Sequence, residues 1–201
     1  LTVLLSFAVA LGKAKGTISK ERAAQIHHQI QSLPGLVGRA LALFDPIRPI
    51  AHGLSQARSA LYLGRGTLYP LALEGALKLK ELSYIHAEGF ASGEMKHGPI
   101  ALIEDGLPIV ALLAADEVMA KASSNLREAA SRGGQIILIT EERGVSEVDF
   151  ADSVITVPNV DPLLAPILLA VPAQILAYLT AVEKGTDVDQ PRNLAKSVTV
   201  E

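Results

Sequence analysis

The sequence predicts an α/β fold: a three-layer αβα sandwich around a mainly parallel sheet, with a helical segment at its N-terminal side. Two observations carry this. After Asp45-Pro46, short apolar runs such as Ile109 to Leu113 and Gln135 to Thr140 alternate with longer segments of helical character. These short runs are apolar nearly throughout instead of alternating with polar residues, as a parallel sheet covered on both faces requires. Right-handed crossovers between such strands place helices on both sides of the sheet.

The elements follow in order. Leu1 to about Leu43 reads as helical, with a break at Gly16-Thr17-Ile18-Ser19, Ser19 as an N-cap, and a second helix from Lys20 to Leu33 that Pro34 and Gly35 interrupt. Leu1 to Gly12 has the apolar length of a signal-peptide core, but no basic region precedes it and it does not start with Met; it reads as a helix cut short. Ala60 to Leu63 is expected as a strand and Pro70 to Ala87 as a helix. Ile109 to Leu113 is then a strand and Asp116 to Arg132 a helix, followed by strands at Gln135 to Thr140 and Ser153 to Val157. Leu163 to Val182 is nearly long enough to cross a bilayer. Pro166, Pro172 and Gln174 interrupt it and Asp161 and Glu183 flank it, so a buried helical layer is expected and no membrane span. Gly185 to Glu201 is a polar tail that Pro191 keeps from continuing the helix. The division is therefore residues 1–45, 46–184 and 185–201.

Composition narrows the function. Eighteen Lys and Arg against 21 Asp and Glu leave a net charge of -3, with no basic run for a phosphate backbone, and aromatic residues are only 4%, too few for a base-stacking platform. Nucleic acid is not an expected partner. The absence of cysteine excludes disulfides, thiolate metal sites and a cysteine nucleophile, and fits a cytoplasmic enzyme. No two of the five histidines have the spacing and neighbours of a metal site, and no metal or other cofactor is expected.

Three constellations can carry chemistry. Gly64-Arg65-Gly66-Thr67 leaves the first strand ahead of a helix opened by Pro70; it is either an anion cradle at a helix N-terminus or a tight turn using glycine, and the spacing leaves both open. Glu74, Lys78 and Glu81 fall four and three residues apart on one helical stripe, either a solvated salt-bridge row or a carboxylate base with an ammonium partner. In Gly93-Glu94-Met95-Lys96-His97-Gly98-Pro99 a histidine is held on a loop, where it suits proton shuttling near neutral pH. The other histidines promise less: His27 and His28 on a polar helix, His52 in a loop-like stretch, and His86 at a helix end.

The runs Leu63-Gly64-Arg65-Gly66, Ala72 to Glu81 and Gly93 to Pro99 resemble the second sugar-isomerase (SIS) lobe of the glucosamine-6-phosphate synthase family, and the tail Lys184 to Glu201 is similar to that family's C-terminus almost letter for letter. The resemblance implies an enzyme that hydrolyses glutamine in one domain and passes ammonia to fructose 6-phosphate in another, giving glucosamine 6-phosphate. It implies that Glu81 is the base moving a proton between C1 and C2, with Lys78 as its electrostatic partner. His97 would open the sugar ring and be supplied across a homodimer. Lys196 would form an imine with the C2 ketone, and the Ala195 backbone would contact the sugar. Residues 1–45 resemble only the last helices of a preceding lobe. The Ser/Thr-rich loop with which the family grips the sugar phosphate has no counterpart here, so this chain alone is expected to be inactive. The alternatives are a fructosamine-6-phosphate deglycase, which shares the blocks up to His97 but not the tail, and a non-catalytic sugar-phosphate-binding module.

Overall fold

The computed structural model describes residues 1–194, and the roles expected of Ala195 and Lys196 fall outside the described residues. Five strands form one parallel sheet in the order β2-β1-β3-β4-β5. They are β1 (Ser59–Gly64), β2 (His86–Ala91), β3 (Pro108–Leu113), β4 (Gln135–Glu141) and β5 (Ser153–Val157). The helices are α1 (Thr2–Ala14), α2 (Lys20–Leu41), α3 (Phe44–Ser55), α4 (Tyr69–Ser83), α5 (Met119–Ala130) and α6 (Ala165–Glu183). The expected three-layer α/β architecture and its N-terminal helices are present.

Successive residues of each strand feed opposite faces. Tyr62, Val110, Leu112, Ile137 and Ile139 pack with α3, α4 and α6 in one buried cluster. Leu61, Leu63, Ile109, Ala111 and Leu138 pack with Ala122, Leu126 and Ala129 of α5 in the other. Both faces are covered by packed side chains, which is why the strands read as continuous apolar runs. Helix α6 is long and apolar enough to cross a membrane by length and composition, yet 61% of its apolar window is buried inside the domain. It is the core helix of the first cluster.

Several local expectations are corrected. Helix α2 runs through Pro34 to Leu41, because Leu33 and Ala40 keep its buried face on the core while the proline ring faces solvent. His52 lies not in a loop but on α3, whose buried Ile47, Ala51 and Leu54 follow helical spacing and whose Pro46 sits in the first turn, where a missing N–H is harmless. Helix α4 ends at Ser83, and His86 opens strand β2 instead of closing the helix. His97 ends a 310 turn, Ser92–His97, that caps the carboxyl end of β2.

Candidate functional site

Two close approaches fix α4 on the sheet. A Cβ on Gly75 would lie 2.6 Å from Cε1 of the fully buried Tyr62, and a Cβ on Gly89 of β2 would lie 2.8 Å from the α4 backbone at Ala72 and Leu73. These glycines let α4 sit directly against β1 and β2. With its buried face so fixed, α4 turns the stripe Glu74, Lys78, Glu81 towards the surface.

Within that stripe the Lys78 ammonium donates to Oε2 of Glu81 at 2.7 Å and stands 3.9 Å from Glu74. The tight contact is therefore with Glu81, and Glu74 is a weak outer partner. The hydrogen bond to Glu81 is the largest influence on Lys78 and lifts its pKa above the ordinary value, against a smaller opposing effect of burial. Lys78 is a cation at neutral pH and cannot itself be the base. Glu81 is half-buried, and Oε1 makes no hydrogen bond among the described residues. One carboxylate oxygen is thus anchored by Lys78 and the other is not held by a hydrogen bond among the described residues.

Glu81 lines an open groove of about 500 Å³ together with Leu77, Lys80, Tyr84, Ile85, His86 and, from the far end of the chain, Arg192, Asn193 and Leu194. The C-terminal stem reaches it by crossing the end of α4. The Thr186 hydroxyl reaches the Leu82 carbonyl at 2.7 Å, the Arg192 N–H donates to the Tyr84 hydroxyl at 2.9 Å, and the Arg192 guanidinium lies 4.1 Å from the Tyr84 ring centroid. The tail that composition presents as loose is docked as far as Leu194.

The remaining candidates lie elsewhere. The Gly64–Thr67 turn opens α4 at the carboxyl edge of the sheet, beside the β1/β3 position where strand order reverses and where ligands of open sheets usually bind. Glu81 is some 14 residues further along, roughly 20 Å away at the amino edge. His97 is exposed at the carboxyl edge, with Nε2 3.8 Å from Glu94. Strand β2 separates it from Glu81 by a similar length, so the two do not meet within one chain. Among the described residues, no three His, Asp or Glu side chains converge as metal ligands would.

Sequence reasoning missed Tyr84. The alternation of buried Ile85 and Ala87 with outward His86 and Glu88 was the available signal that α4 had already ended. Tyr84 itself caps the helix in the left-handed region at φ 61°, where a glycine would have announced the stop.

Comparison with known proteins places the chain in a family. Glutamine–fructose-6-phosphate aminotransferase (isomerising) of Agrobacterium fabrum is 53% identical over the whole chain, and that of Zymomonas mobilis 52%. The chain spans about a third of the length of these curated relatives. Among solved structures, the C-terminal domain of glucosamine-fructose-6-phosphate aminotransferase from Francisella tularensis is similar with a TM-score of 0.87 and 41% identity, over 92% of this chain and 52% of that one. The SIS domain family matches residues 53–184, from the end of α3 through α6. The chain belongs to the SIS domain family.

Proposed function

We propose that this chain is the C-terminal part of the isomerase half of a glutamine-fructose-6-phosphate aminotransferase, which makes glucosamine 6-phosphate from fructose 6-phosphate and glutamine-derived ammonia. In this reading residues 1–45 leave a preceding sugar-isomerase lobe, residues 46–184 form the second lobe, and residues 185–201 are the active-site tail. The enzyme is a cytoplasmic homodimer attached to a glutaminase domain. The observation that carries the proposal is the docking of the C-terminal stem on the groove lined by Glu81. Neither a salt-bridge row nor a passive surface helix needs a tail brought from over 100 residues away.

Glu81 acts as the base between C1 and C2 of the open sugar, and Lys78 holds its carboxylate in place. Lys196, two residues beyond the docked stem, supplies the amine for the C2 ketone, with the Ala195 backbone beside the sugar. His97 opens the ring in the partner's site. Its position at the opposite edge of the sheet favours such a role in trans over one in its own chain. The test is hexosamine production by the full-length protein from fructose 6-phosphate and glutamine. The unmodified enzyme is expected to form glucosamine 6-phosphate, and Glu81→Gln to lose a factor of about 10²–10⁴ in rate. A Glu81→Gln enzyme with normal turnover would remove the residue from the mechanism.

A further inference from the structure

Tyr84 occupies a position that suits a glycine. It follows the last turn of α4 with φ 61° and ψ 14°, the left-handed conformation that helices usually end on with glycine and that costs a side-chain-bearing residue conformational free energy. The tyrosine side chain instead makes two contacts with one residue of the tail. Its hydroxyl accepts the Arg192 N–H at 2.9 Å, and its ring lies 4.1 Å beneath the Arg192 guanidinium. Glu81 is one helical turn earlier on the same groove.

The stem between α6 and Arg192 is itself shaped for this docking. Gly185 turns the chain out of α6 at φ 71°, the Thr186 hydroxyl reaches the Leu82 carbonyl, and Asp187 Oδ1 accepts the N–H groups of Asp189 and Gln190 at 2.9 and 3.0 Å. The Asp187 turn reverses the chain so that Pro191 and Arg192 return to the end of α4. Thr186 and Arg192 thus grip consecutive parts of one helix end, Leu82 and Tyr84.

We propose that Tyr84 is a positioning residue for the isomerase reaction: it clamps Arg192 and so holds the C-terminal stem, as far as Leu194, in the groove lined by Glu81. This rests on the function proposed above. A tail held by backbone and ring contacts to the helix that carries the base keeps a fixed relation to that base, and loss of orientation lowers turnover more than ground-state binding.

Tyr84→Gly separates the clamp from folding, because glycine suits the backbone conformation and removes both contacts. In the full-length enzyme, trypsin cleavage after Arg192, followed by mass spectrometry, should be about tenfold faster in Tyr84→Gly, the combined effect of one cation–π contact and one hydrogen bond. Its melting temperature should not fall. The kcat for hexosamine formation should drop about tenfold or more with a smaller change in KM for fructose 6-phosphate. Tyr84→Phe, which keeps the ring, should recover part of both effects. Unchanged cleavage after Arg192 would overturn the clamp, and faster cleavage with unchanged kcat would overturn its role in the reaction. If the unmodified enzyme forms no hexosamine, the function itself fails and the positioning role fails with it. The proteolysis result still reports whether the contact exists.

Discussion

Burial alone would raise the pKa of the Asp161 carboxyl, yet it lies below its ordinary value of 3.8, because two hydrogen bonds from Arg22, one from the Leu163 N–H and the charge of Arg143 outweigh that effect. This bidentate pair, with its shorter contact at 2.6 Å, ties the start of α2 to the turn before α6. A carboxylate with a depressed pKa contributes stability that is present above its unfolded value and lost as pH falls through the folded one. Asp161→Asn should therefore cost about 1 kcal/mol near neutrality, and the difference should shrink below about pH 4, as urea melts at several pH values can show. Lys78 has the opposite sign. Its raised pKa means that its contribution is intact below about 10.5 and is lost only above it, so Lys78 does not titrate near neutrality. At this scale the Lys78–Glu81 pair was legible because a spacing of three on a helix puts two side chains together. Tyr84 was not, because a non-glycine residue in the left-handed region leaves no trace in composition.

Helix α4 is the element on which the site depends, and its seat on the sheet is set by glycines, not by large side chains. Gly75→Ala gains helix propensity, but the added methyl would lie 2.6 and 2.8 Å from two atoms of the Tyr62 ring, which is fully buried and cannot swing away. Overpacking of this kind costs about 1–3 kcal/mol, so a net loss of stability is expected, together with reduced activity from a displaced Glu81; thermal melts beside kinetic assays would measure both. Unaltered melting and kinetics would show that α4 has more freedom than its packing indicates. The strands β1, β3, β4 and β5 were legible as apolar runs because both faces of the sheet are covered. Strand β2 was not. It is an edge strand carrying His86, Glu88 and Gly89, and it follows α4 after only Tyr84 and Ile85, so its polar alternation merged with the helix. Helix α3 was hidden by Pro46 and Pro49, which suggest a loop although burial of Ile47, Ala51 and Leu54 holds the helix together.

On the scale of the whole molecule, the sheet separates the candidate residues into two edges. Glu81, Lys78 and the docked tail stem lie at the amino edge, and His97 lies at the carboxyl edge roughly 20 Å away. If His97 completes the partner's site, Glu81→Gln and His97→Ala subunits that are each inactive should regain about a quarter of normal activity when reassorted at equal amounts, since half of the dimers are mixed and each then holds one intact site. No recovery on mixing would place His97 outside the reaction or in its own chain's site. The most direct test of the central assignment follows the proton itself: incubating the full-length enzyme with fructose 6-phosphate in D2O and measuring deuterium incorporation at C1 by NMR. The unmodified enzyme should exchange that hydrogen and Glu81→Gln should not; exchange that persists in Glu81→Gln would contradict its role as the base.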